Sequence, residues 1–167
     1  MSEKSRVGIG GLLVASLALT AGCAVETEPD SAVAMFRGDP AHTGVYETAG
    51  VEQLGGVSWI LPTGGTVRSS PSIAGDLLYV GTSAGRLLSV ERDGGALRWA
   101  YDAGSAIDSS PAVALGLVVF ASRDNRLVAL DRLTGDLAWS LETGETMPFP
   151  WGWEGWDYFV SSPVIVG

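Results

Sequence analysis

The chain has 167 residues, 23 glycines, one cysteine and a formal net charge of -9. Few charges and many glycines suit a β-rich chain punctuated by turns. The acidic balance argues against a surface for nucleic acid or anionic lipid, and a lone cysteine rules out an internal disulfide.

Residues 1–22 read as a targeting segment. Lys4 and Arg6 give a positive start, and Val7 to Leu19 is an apolar run too short for an ordinary spanning helix. It ends at Leu19-Thr20-Ala21-Gly22-Cys23. Small residues before a cysteine resemble the lipobox of bacterial lipoproteins, although Thr20 stands where that family usually has Leu or Val. The resemblance implies cleavage before Cys23 and acylation of it. More than one acyl chain anchors a protein stably, so the expected location is extracytoplasmic, on a bacterial membrane. Ala24 in place of Asp after the cysteine resembles outer-membrane sorting in Gram-negative cells. The competing reading is an ordinary secretory peptide with an incidental cysteine.

Residues 23–34 carry Glu26, Glu28, Pro29 and Asp30 without periodicity and read as a tether. Residues 35–56 form an entry segment. Its opening, Met35-Phe36-Arg37-Gly38-Asp39-Pro40-Ala41-His42-Thr43-Gly44, is punctuated as an ordered loop. His42 is the only histidine. A metal site or a catalytic triad would need it, nothing near it has ligand spacing, and a hydrogen-bonded structural role is expected. Gly56 to Leu61 then reads as a short strand resembling the Trp-bearing strand that ends each later repeat.

Residues 57–167 are organised by a repeat. Gly64 recurs as Gly104, Ser69-Ser70-Pro71 as Ser109-Ser110-Pro111, Arg86-Leu87 as Arg126-Leu127, and Gly95 as Gly135. Each copy (62–101 and 102–143) reads as four short strands. These are Ser70 to Ala74, Leu77 to Gly81, Arg86 to Glu91 and a strand through Leu97, Trp99 and Tyr101, with counterparts at Ser110 to Ala114, Leu117 to Ala121, Arg126 to Asp131 and Leu137 to Leu141. The second strands are continuously apolar, as in a sheet covered on both faces. The fourth alternates, as at a half-exposed edge. Four antiparallel strands per repeat, stacked face to face, are the blade of a β-propeller. A third copy begins at Ser161-Ser162-Pro163 in residues 161–167, so the expectation is an all-β, incomplete ring of about two and a half blades, the N-terminal part of a longer chain.

Ala129-Leu130-Asp131-Arg132-Leu133-Thr134-Gly135-Asp136-Leu137-Ala138-Trp139 resembles the Ala-x-Asp-x-x-Thr-Gly-x-x-x-Trp motif of pyrroloquinoline-quinone (PQQ)-type propeller repeats. The first repeat keeps only part of it, with Ser89, Glu91, Gly94, Gly95 and Trp99. The Met-Phe-Arg-Gly-Asp-Pro opening is similar to the entry segment of such proteins. The resemblance implies that Trp59, Trp99 and Trp139 dock neighbouring blades.

Residues 144–160 lengthen the connection between the second and third copies. They hold Trp151, Trp153, Glu154, Trp156, Asp157 and Tyr158, with Phe149 and Phe159. Aromatic and acidic groups together stack on sugars, hold cations or anchor a partner protein, or they plug a channel mouth. Quinoprotein dehydrogenases of this repeat bind PQQ with Ca²⁺ and are expected to show adjacent cysteines and a calcium-binding carboxylate. This sequence has no adjacent cysteines, and two acids on one loop are a weak calcium pattern. The expected function is therefore a non-catalytic lipoprotein scaffold without cofactor, resembling the propeller lipoproteins of outer-membrane β-barrel assembly, with a protein or glycan partner at the aromatic loop. The alternatives are part of a PQQ- and Ca²⁺-dependent dehydrogenase, and an extracytoplasmic sensor or glycan-binding propeller.

Overall fold

The structure, a computed structural model, describes residues 33–45, 53, 55–144 and 161–166. Two four-stranded antiparallel sheets follow one another in the chain, each a meander in sequence order. The first contains β1 (Ser72–Ala74), β2 (Leu77–Gly81), β3 (Arg86–Glu91) and β4 (Leu97–Asp102). The second contains β5 (Ala112–Ala114), β6 (Leu117–Ser122), β7 (Arg126–Asp131) and β8 (Leu137–Glu142). The register repeats as well: Tyr79 faces Ser89 as Val119 faces Ala129, and a shift breaks the third–fourth pairing at Ser89/Val90 and again at Ala129/Leu130. This is a partial β-propeller.

Burial follows from the period of two. One face of the first blade turns Tyr79 and Leu87 to the second blade, where they share a core with Ile107, Val113, Val118, Phe120, Val128 and Leu130. The other face turns Val80, Leu88 and Val90 toward Trp59 and Leu61. Each fully buried side chain of this kind contributes about 1.5–3 kcal/mol, so face-to-face stacking of blades stabilises this fold. Gly81 shows how close the approach is: a Cβ there would lie 2.5 Å from Ile107.

Four expectations change. The first strands are shorter, because Pro71 and Pro111 carry no N–H for a ladder and stand outside β1 and β5. Residues 56–61 form no strand: no sheet edge lies beside them among the described residues, and Val57 and Ile60 are exposed. Ala34, placed in the tether by composition, belongs to the fold. It makes an antiparallel bridge with Val113 on the innermost strand β5. The half-exposed pattern of the fourth strand holds in β4, but every residue of β8 is exposed, since no described residue covers its face.

Candidate functional site

The turns define two faces. The lower face carries the β1–β2, β3–β4, β5–β6 and β7–β8 turns. The upper face carries the β2–β3 and β6–β7 turns, the β4–β5 connection and both ends of the 144–160 insertion.

At the lower face the repeat makes a knob and a socket. The Trp59 indole N–H donates to the Arg92 carbonyl at 2.8 Å, and the Trp99 indole N–H to the Arg132 carbonyl at 3.1 Å. Each ring lies against a glycine in the left-handed region. Gly95 has φ 68° and Gly135 φ 79°, and a Cβ there would sit 2.5 Å from the Trp59 ring and 2.7 Å from the Trp99 ring. The Tyr79 hydroxyl also donates to Arg132 O. Trp139, the third equivalent, is 41% exposed. Asp131 shapes the second socket by accepting the Leu133 and Thr134 N–H groups, both at 2.9 Å. These backbone bonds, that from Thr134 foremost, outweigh burial and hold its carboxyl below the ordinary carboxylate value. Glu91 occupies this position in the first repeat. Beside these turns a cleft of about 540 Å³ lies between the blades, lined by Asp76, Glu91, Asp93, Arg98, Arg132 and Leu133 among others.

Near the axis, serines link the copies. The Ser70 N–H donates to Ser110 Oγ at 2.9 Å, and the Ser110 N–H to Ser162 Oγ at 3.1 Å. The first serine of each pair clasps its own blade: Ser69 Oγ bonds both N–H and C=O of Gly81, and Ser109 Oγ does the same to Ala121. The entry segment runs along this inner surface. Met35 is buried, and Asp39 caps a tight loop by accepting the Ala41 and Thr43 N–H groups and the Thr43 hydroxyl. The Thr43 hydroxyl is the main reason the Asp39 carboxyl is held low. The His42 ring packs edge-on to Phe36 at 5.6 Å, and its buried Nε2 has no hydrogen-bond partner among the described residues.

The upper face is polar. Arg123 Nε donates to Asp108 Oδ2 at 2.6 Å, and Arg126 Nε to Asp124 Oδ2 at 2.6 Å. Burial raises the Asp124 carboxyl, but bonds from Arg126 and Ser122 prevail and hold it low. A cleft of about 380 Å³ lies there, lined by Ser122, Asn125, Arg126, Thr143, Ser161 and Ser162 among others. Thr143 and Ser161 flank the insertion, so the insertion leaves from and returns to the rim of this cleft. Cys23, Trp151, Trp153, Glu154, Trp156, Asp157 and Tyr158 lie outside the described residues. Among the described residues no three His, Cys, Asp or Glu side chains converge as a metal site. The sequence reading missed the Ser70–Ser110–Ser162 relay. Its signal was the recurrence of Ser-Ser-Pro itself.

A family model described as outer membrane protein assembly factor BamB matches residues 45–150. No curated protein matches the chain in sequence. Among solved structures, BamB from Moraxella catarrhalis is similar over 53% of this chain at 19% identity and a TM-score of 0.50; the match covers 28% of that protein. A quinohemoprotein alcohol dehydrogenase from Comamonas testosteroni matches 47% of this chain and 13% of its own, at 24% identity and a TM-score of 0.44. The enzyme ADHIIG from Pseudomonas putida HK5 matches 52% and 14%, at 27% identity and a TM-score of 0.47. The likeness to the Moraxella protein speaks to the fold, of which the chain spans little more than a quarter.

Proposed function

The chain belongs to the family of the outer membrane protein assembly factor BamB, and from that premise we propose that it is a non-catalytic β-propeller scaffold of the cell envelope, held on a membrane by acylated Cys23 and contacting a protein partner through the 144–160 insertion. The family match over residues 45–150 carries this reading. The disposition of polar groups supports it. The indoles of Trp59 and Trp99, the Tyr79 hydroxyl and the paired serines all bond to neighbouring repeats or their own blade, which is the work of a framework. The insertion opens from the upper face, where propeller connections are free to vary without disturbing the blades. Its aromatic residues are the types that anchor interfaces.

The scaffold acts without PQQ or Ca²⁺ in this reading. The test is to purify the protein from envelope membranes and measure two things. Co-purification of an outer-membrane assembly partner, weakened at least tenfold by Trp153→Ala with Trp156→Ala, is the expected result. Saturable PQQ binding that requires Ca²⁺, with alcohol-dependent dye reduction and no partner, would sink the scaffold in favour of the dehydrogenase reading.

A further inference from the structure

Asp93-Gly94 is the only place in the sequence where an Asp or Asn precedes a glycine. It falls in the β3–β4 turn at the lower face. Two backbone bonds close this turn, from the Glu91 N–H to Ala96 O and from the Gly95 N–H to Glu91 O, both at 2.8 Å. Between them the pair itself is open. The Asp93 side chain is 85% exposed and accepts from Arg92 Nε at 3.0 Å. Nothing lies within 4 Å of where a Gly94 Cβ would stand, and the Gly94 N–H donates to no partner among the described residues. Both residues line the cleft between the blades, so water reaches them. An unshielded amide nitrogen directly after an unhindered carboxyl supplies the two reactants of imide formation.

We propose that Asp93 is a modification site, where the chain isomerises to isoaspartate without an enzyme and thereby frees Trp59 from the first blade. The Gly94 nitrogen attacks the side-chain carboxyl carbon of Asp93. The new N–C bond closes a cyclic imide, and the amide proton leaves with a carboxyl oxygen as water. Water then opens the ring. Attack at the side-chain carbonyl restores aspartate. Attack at the main-chain carbonyl routes the chain through the side chain, adds one methylene to the backbone and leaves the former main-chain carboxylate free. That lengthening falls inside the Trp59 socket. The Trp59 indole donates to the carbonyl of Arg92, just before the altered link. Its ring lies 2.5 Å from where a Cβ of Gly95, just after the link, would stand. A contact this close leaves no room for both sides of the socket to keep their places. Residues 56–61 form no ladder among the described residues. The socket, with Trp59 and Leu61 packed near Val80, Leu88 and Val90, is what holds them to the blade. The second repeat is an internal control. Leu133-Thr134 stands where the first has Asp93-Gly94, so the Trp99 socket has no such reaction.

The test incubates the folded full chain at neutral pH and reads two quantities. Isoaspartate is detected with an isoaspartyl methyltransferase and placed by fragmentation mass spectrometry. Docking is read by NMR as hydrogen exchange of the Trp59 and Trp99 indole N–H groups. The expected result is isoaspartate at position 93, with the Trp59 N–H exchanging about tenfold faster in the isomerised chains and the Trp99 N–H unchanged. Asp93→Glu, whose longer side chain disfavours the ring, should fold like the parent and keep Trp59 protected through the same incubation. Gly94→Ala should fold likewise and isomerise several-fold more slowly. No isoaspartate at position 93 in the folded chain, under conditions that convert a free peptide of residues 88–98, overturns the site. Isoaspartate there with Trp59 still protected, or Trp59 loosening equally in Asp93→Glu, overturns the release.

Discussion

Gly135 and Trp99 show how the motif becomes a contact. The sequence marks both residues, but only their geometry explains why the glycine is required: it combines a left-handed backbone with a ring 2.7 Å from where a Cβ would stand. Gly135→Ala is expected to destabilise the fold by about 3 kcal/mol, through strain and displaced packing together. Gly94→Ala, next to the other socket, has open space and no left-handed φ, and should change stability by less than about 0.5 kcal/mol. Denaturant unfolding of the two variants checks the pair. Asp131 adds a pH dependence. Its folded-state pKa lies below the ordinary value because backbone N–H groups, first that of Thr134, hold the carboxylate. The stabilisation is therefore present above the unfolded pKa of about 3.9 and is lost as pH falls through the folded one. Asp131→Asn should cost about 1 kcal/mol at neutral pH, and unfolding curves should show the gap to the parent closing as the solution is acidified below about pH 4.

At the scale of the element, β2, β3 and β7 are legible to the residue, because continuous apolar runs bounded by turn residues leave little choice of ends. The first strands are less so. The repeat suggests strands from Ser70 and Ser110 that include Pro71 and Pro111, while the missing N–H keeps the prolines out. Residues 56–61 carry strand composition but form no ladder, since strand structure depends on a partner edge that local sequence does not contain. The serine clasps lie beyond periodicity altogether. Ser109 Oγ both accepts from the Ala121 N–H and donates to its C=O, each at 2.9 Å, and so ties the entry of β5 to the end of β6. Ser109→Ala removes both bonds in a buried place and should cost about 2 kcal/mol. Hydrogen exchange at the Ala121 amide should accelerate accordingly, whereas Ser83→Ala, on an exposed turn, should leave that amide protected.

For the whole molecule, stacking of blades explains why both faces of β2 and β6 are apolar and why the core lies between sheets rather than within one. The fold was legible because a repeat states the same structure twice. The candidate site was legible only as composition. Trp151, Trp153, Trp156 and Tyr158 announce a contact surface, but an insertion has no second copy to fix its shape, and the place of Ala34 in the fold appears only in its bridge to Val113. The scaffold account makes the insertion the partner-facing element and the lower turns a surface that does not meet the partner. The most direct measurement is photo-crosslinking in cells, with a photoreactive residue at position 153 and, separately, at position 93. The account predicts a discrete protein adduct from position 153, identified by mass spectrometry as an outer-membrane assembly component, and none from position 93. Adducts from position 93 alone, or none from either, would contradict it.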